Sequence, residues 1–266
     1  MRYVWDNDMH IHSQLSLCSR DPEQTPERIL QYAKDNGLKT IVLTDHCWDN
    51  KDVSSSDWYK FQDLEYCKRS LPLPKADGIE FLFGVEGEMY HTHMIPLSRE
   101  DMDALDFVVI PLTHMHMVGH AITVEEGSSP ENRAKAWVER FEAFLNMDLP
   151  FKKMGLAHLT CGLIAKPRED YLKVLELLPE DKMTELFKKA AQVGVGIEIN
   201  ADDMKFSDDE AETVLRMYRI AKAQGCKFYM GSDSHHPSGL DTAKKYFERA
   251  IDMLELTEDD KFRIAK

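Results

Sequence analysis

Long apolar runs are missing from this sequence. No stretch approaches the roughly 20 residues needed to cross a bilayer. Arg2, Asp6, Asp8 and Arg20 leave no room for the apolar core of a secretory leader, so a soluble cytoplasmic protein is expected. Cysteine is scarce as well. Cys18, Cys47, Cys67, Cys161 and Cys226 are odd in number and scattered without a C-x-x-C pair, which argues against a disulfide framework and against a zinc-finger module. There is no basic run, and the formal net charge of -14 repels nucleic acid and anionic membrane at long range. The chain contains no G-x-S-x-G, no P-loop and no H-E-x-x-H, so neither a nucleophilic serine nor a nucleotide cradle has motif support. Internal repeats, low-complexity tracts and linkers are absent too.

What remains is a regular alternation. The 266 residues, 43% of them hydrophobic, suffice for a substantial core, and one domain over residues 1–266 is expected. Apolar runs lie within residues 3–12 and over 39–44, 81–85, 107–110, 155–157, 196–200 and 227–230. Between them lie helical patterns with start and stop signals. Thr25-Pro26 opens a helix that Gly37 stops, a polar helix-compatible stretch runs from Ser54 to Ser70, and Pro130 heads an amphipathic helix to Met147. Two more helical stretches fall between Glu169 and Val193. Ser207 with Glu210 forms a capping box for the next, and the last spans about Leu240 to Leu254. Seven strands joined by crossovers imply a parallel sheet, either closed into a barrel or open and doubly wound.

The location of the polar residues decides between these. Each run carries His, Asp or Glu at or just after its C-terminal end, where barrel enzymes build their sites. An open sheet would gather them at one switch point instead. All eleven histidines fall in these strand-end segments and none in a helical stretch. The first of them, His10-Ile11-His12, puts two imidazoles on one side of an extended backbone.

As an ordered set these residues resemble the polymerase and histidinol phosphatase (PHP) family. The resemblance rests on His10-x-His12, Thr44-Asp45-His46, Gly84-Val85-Glu86, a His after the fourth run, Ala157-His158 and Gly231-Ser232-Asp233-Ser234-His235, and it covers nearly the whole chain. It implies a distorted seven-stranded (β/α) barrel, TIM-like, with two or three divalent ions (zinc, manganese or iron) and hydrolysis of phosphate esters. On this resemblance His10, His12, Glu86 and Asp233 would hold one metal, Glu86 would bridge to a second on His114 and His158, and His46 and His235 would hold a third. Glu86, Asp233 and His235 are the candidate catalytic groups. Some family members carry a further His six residues after the first pair, where this chain has Cys18, and a thiolate there is a candidate ligand.

The chemistry is consistent with that set. Mixed imidazole and carboxylate ligands suit zinc, iron and manganese, and a bridging carboxylate reduces repulsion between neighbouring dications. A metal-bound hydroxide would then attack phosphorus without a Ser or Cys nucleophile. Some assignments stay open at this point: Glu88 competes with Glu86, and His116 with His114. Asp45 reads as an orienter of a ligand histidine, Glu198 and Asn200 as pocket or supporting groups, and His91 and His93 as rim contacts. Arg20 and Arg168, with Lys166 beside the latter, are the cations that could hold a phosphate. A small phosphorylated metabolite is the expected partner, in a histidinol-phosphatase-like reaction. The alternatives are a hydrolase of the same barrel type acting on a C–N or C–O bond, and a non-catalytic metal-binding module.

Overall fold

The structure, a computed structural model, describes residues 1–266 apart from 20, 51, 52, 54 and 266. The seven apolar runs form β1 (Asn7–Ile11), β2 (Thr40–His46), β3 (Glu80–Glu86), β4 (Phe107–Pro111), β5 (Met154–Ala157), β6 (Gly196–Asn200) and β7 (Lys227–Gly231). The helices among the described residues are α1 (Pro26–Asn36), α2 (Leu64–Cys67), α3 (Arg99–Ala104), α4 (Pro130–Asn146), α5 (Arg168–Leu177), α6 (Glu180–Val193), α7 (Ala211–Ala223) and α8 (Pro237–Met253). None is long and apolar enough to cross a membrane.

Strand order in space follows chain order from β1 to β7, and every ladder is parallel. The seam between β7 and β1 nearly closes the barrel. There Ile11 and Ser234 form a parallel bridge, the Asp233 N–H donates to the His10 carbonyl (2.7 Å) and the His12 N–H to the Ser234 carbonyl (3.1 Å). Side chains complete it lower down, where Asn7 Oδ1 accepts from the Met230 N–H and Asp8 Oδ1 from the Ser232 N–H, both at 2.9 Å. The β1–β2 register shifts between Asp8 and Ile11, and such an irregularity re-aims side chains at a barrel rim.

Seven strands enclose less space than eight, and the inward positions are correspondingly lean. A small inner cluster of Met9, Val42, Phe107, Val109, Ala157, Tyr229 and Phe262 fills the lumen, while the larger core lies between strands and helices. Gly155 and Gly196 admit the Tyr229 ring, and a Cβ at either would overlap it. Above this plug, Gly231 leaves room for the Glu198 carboxyl and for His10. The lumen is therefore packed at its base and polar at the C-terminal mouth.

Helix boundaries follow the caps. Thr25 Oγ1 accepts from the Arg28 N–H and Gly37 closes α1 at φ 67°. The described residues of the helix-compatible stretch 54–70 hold only the single turn of α2 and a 3-10 turn at Lys68–Ser70. Asp63 caps there through the Tyr66 N–H, so the helix cannot start earlier. The described residues before it form an irregular wall fixed by Trp48, Tyr59 and Gln62. Helix α3 was not anticipated from the sequence; Ser98 caps it by accepting from the Asp101 N–H at 3.0 Å. Helix α8 begins at Pro237, ahead of the expected Leu240, because His236 Nδ1 accepts from the Ser238 N–H at 3.1 Å.

Candidate metal centre

Strand ends deliver the polar residues to one place. His10 and His12 come from β1, His46 and Glu86 end β2 and β3, His114 follows β4, His158 follows β5, and Asp233 and His235 follow β7. His158 and Asp233 adopt left-handed backbone, at φ 30° and 50°. For non-glycine residues that conformation costs on the order of 1 kcal/mol each, and it turns side chains into a site that a continuing strand would miss.

Three groups of potential ligand atoms converge: His10, His12 and Glu86; Glu86, His114 and His158; and His12, His46 and His235. Asp233 joins the first, its Oδ1 lying 3.1 Å from His12 Nε2 and 3.5 Å from His10 Nε2. In that set the two histidine Nε2 atoms are 3.1 Å apart, and they lie 3.5 and 3.4 Å from Glu86 Oε2. Four ligands at about 2.1 Å around a tetrahedral ion would stand about 3.4 Å from one another, and the separations of the two imidazoles from each other and from each carboxylate match that value. Glu86 turns its other oxygen the opposite way, with Oε1 at 3.2 Å from His158 Nε2 and 3.8 Å from His114 Nε2. The third set brings His46 Nε2 to 3.4 Å from His235 Nε2. A further observation favours a cation. His46 Nδ1 and Glu86 Oε2 are buried 2.8 Å apart, yet neither has a hydrogen bond. Two orphaned polar atoms in the interior are costly unless something else binds them.

Outer contacts fix most of these imidazoles. Glu198 Oε1 pairs with His10 Nδ1 at 2.7 Å while its Oε2 accepts the His158 N–H at 2.6 Å. Ser16 Oγ sits 2.9 Å from His12 Nδ1 and donates to Asp45 Oδ1 at 2.7 Å. Thr113 Oγ1 meets His158 Nδ1 at 2.8 Å, Glu88 Oε2 meets His114 Nδ1 at 2.6 Å, and the Asp233 carbonyl meets His235 Nδ1 at 2.8 Å. Each contact occupies one ring nitrogen and leaves Nε2 for the interior. Asp45 thus acts on His12 through Ser16, and Glu88 supports His114, whereas Glu86 sits among the convergent atoms.

The electrostatics follow from burial among imidazoles. Burial opposes charge on Glu86 and Asp233, but the histidines, His46 and His10 first for Glu86 and His10 first for Asp233, hold both well below the usual carboxylate range. Burial and the neighbouring His12 push His235 down to about 3, and burial lowers His46. His235 is therefore a neutral imidazole with a lone pair to give.

A cavity of about 560 Å³ opens over these groups. Trp58, Tyr59, Met117, Val118 and Leu163 form its apolar wall; His116, His120 and Ser56 lie around it, and no Lys or Arg lines it among the described residues. Burial and His114 push His116 down to about 4. It faces the cavity and belongs to none of the ligand sets. Cys18 also borders the cavity without joining a convergent set. Without an ion, desolvation and then the Glu86 and Asp233 carboxylates push its thiol up. Arg168 lies elsewhere, bidentate to Glu210 (2.8 and 2.7 Å) and stacked on Tyr171. Neither Lys166, His91 nor His93 lines the cavity. Arg20 falls outside the described residues. Sequence reasoning passed over Ser16, Thr113, Arg140 and the apolar wall, none of which carries a periodic or motif signal.

The PHP domain model matches residues 8–259 of the chain. Among solved structures, histidinol phosphate phosphatase (HISK) from Lactococcus lactis subsp. lactis Il1403, complexed with zinc, L-histidinol and phosphate, superposes with a TM-score of 0.48 at 18% identity, over 92% of this chain and 93% of that one. Plasmodium falciparum HPPK-DHPS with STZ-DHP gives 0.41 at 8% identity, over 95% of this chain and 49% of that one. At these levels neither neighbour informs the chemistry of the site. No curated protein matches the chain.

Proposed function

The chain belongs to the PHP domain family and is a metal-dependent phosphoesterase; on that premise we propose that it hydrolyses a small phosphomonoester with two or three divalent ions, zinc, manganese or iron, held at the barrel mouth. The observation that carries this is Glu86, whose two oxygens face two different groups of imidazoles. His10, His12, Glu86 and Asp233 would hold one ion, Glu86, His114 and His158 a second, and His46, His235 and the shared His12 a third. Bound there, such ions supply Lewis-acid polarisation of the phosphoryl group and a nucleophile at neutral pH.

The chain's own residues do the rest. Glu198, Glu88, Ser16 and Thr113 hold the imidazoles so that Nε2 points inward. Asp233 and His235 have side chains 23% and 27% exposed, more than the other ligands, and face the cavity, so they are the protein groups placed to touch substrate. Trp58, Tyr59, Met117, Val118 and Leu163 give the organic portion an apolar surface and exclude water from one side. A cavity of this size accepts one small molecule. A long polyanion would have to approach a molecule of net charge -14 with no cation at the described rim.

Measuring kcat/KM for a panel of phosphorylated metabolites against a single-stranded oligonucleotide tests the reading. Preference for a phosphomonoester is expected. A clear preference for the oligonucleotide, or turnover confined to amide or carboxylic ester substrates, would overturn it.

A further inference from the structure

Glu88 occupies a position that only a carboxylate can satisfy. It is fully buried, and its polar partners among the described residues are all donors: His114 Nδ1 at 2.6 Å and the Tyr59 hydroxyl at 3.2 Å on Oε2, the Met89 N–H at 2.8 Å and the Arg140 guanidinium at 3.8 Å on Oε1. Arg140, buried in the middle of α4, in turn donates to the carbonyls of Met89 (2.9 Å), Leu112 (2.8 Å) and Ala121. One guanidinium thus ties the segment after β3 to both ends of the loop after β4, the loop that carries His114 and the Met117–Val118 wall. A buried charge in such a place is retained only with its counter-charge and donors complete. The same carboxylate also reaches the apolar wall of the cavity through Tyr59.

We propose that Glu88, held by Arg140, is a positioning residue for the Glu86–His114–His158 metal set: it keeps the His114 proton on Nδ1, presents Nε2 to the ion, and locks that imidazole to the substrate wall at Tyr59. The inference rests on the metal-centre reading of the site, and not on which substrate is turned over. An amide cannot replace the carboxylate. If its oxygen faces His114, its NH2 confronts the Met89 N–H and Arg140. If its NH2 faces His114, it drives the imidazole proton to Nε2 and removes the ligand lone pair. Glu88→Asp keeps the charge and loses only reach.

The experiment is metal affinity by competition with a chromophoric chelator, with metal-to-protein ratios, on wild type, Glu88→Gln and Glu88→Asp that retain the wild-type circular dichroism spectrum. Glu88→Gln should weaken one equivalent of metal by about 10–100-fold, the usual effect of losing an outer partner, leave the remaining equivalents unchanged, and be partly rescued in Glu88→Asp. Unchanged affinity in a folded Glu88→Gln would overturn the proposal. Should Glu88→Gln not fold, the ¹⁵N spectrum of the metal-loaded wild-type protein decides, with the His114 signals assigned through His114→Asn. A protonated Nδ1 and a metal-bound Nε2 are required; the opposite tautomer refutes the proposal. Failure of the phosphatase reading would appear in the substrate panel and leave these metal measurements untouched.

Discussion

Gly231→Ala adds one methyl group at the point where the lumen plug gives way to the metal centre. A Cβ there would overlap the Glu198 carboxyl and crowd His10 Cβ. The end of a glutamate could ordinarily swing aside, but Glu198 is fully buried and both its oxygens are engaged, with His10 Nδ1 and with the His158 N–H. Overpacking of this kind costs about 1–3 kcal/mol, and losing a charged hydrogen bond adds about 1.5–3 kcal/mol. At roughly 2–4 °C per kcal/mol for a chain of this size, the melting temperature should fall by about 10 °C. The assay is thermal unfolding by circular dichroism, with Gly162→Ala as control, since a Cβ at Gly162 meets nothing within 4 Å. Glu198→Asp withdraws the carboxyl, so Gly231→Ala/Glu198→Asp should fall short of the additive loss by at least about 0.5 kcal/mol. A melting temperature within 1–2 °C of wild type (on the order of the shift expected for a neutral surface change), or strict additivity of the pair, would refute the packing argument.

Other consequences can be checked singly. Cys18→Ser should leave the metal-to-protein ratio unchanged under reducing conditions, because the thiol stands outside the convergent sets; a lost equivalent would make it a ligand. Arg168→Ala should alter kcat/KM less than about threefold, since its guanidinium is committed to Glu210 and is worth at most about 1 kcal/mol there; a large rise in KM would place it on the substrate. Asp203 is buried and raised to about 7, chiefly by desolvation, with Oδ1 unpartnered. A carboxyl raised in the folded state disfavours folding once ionised, so stability should decline as pH rises from about 4 to 7, by up to on the order of 4 kcal/mol from this group. Asp203→Asn should flatten that decline in urea unfolding measured at several pH values, and an unchanged pH slope would refute the assignment.

The fold was legible because two periodicities rarely coincide by chance. Strand runs gave the seven parallel elements, and polar residues placed at their C-terminal ends separated a barrel from an open sheet. The convergence of His10, His12, His46, Glu86, His114, His158, Asp233 and His235 was legible for the same reason, since a strand end is a fixed address in a barrel. Discrimination between near neighbours was not. Alternation puts Glu86 and Glu88 on one side, and only the donors around Glu88 show that its oxygens are already occupied. Arg140 sits in an amphipathic helix, where pattern reading places a charge outside; three backbone carbonyls make an interior position possible. The cavity wall comes from loops around Trp58, Met117 and Leu163, which have no period to read. Cys18 occupies a suggestive sequence position, and the structure sets it on the cavity lining outside the three convergent groups.

Elemental analysis of metal per chain, on wild type and Glu86→Ala purified without chelator, tests the central claim most directly. Glu86 belongs to two of the three convergent sets, so the wild type should carry two or three transition-metal ions, and the variant should lose more than one of them while remaining folded. A wild-type protein that hydrolyses phosphomonoesters with no bound metal, or a Glu86→Ala protein with the wild-type metal ratio, would contradict the account.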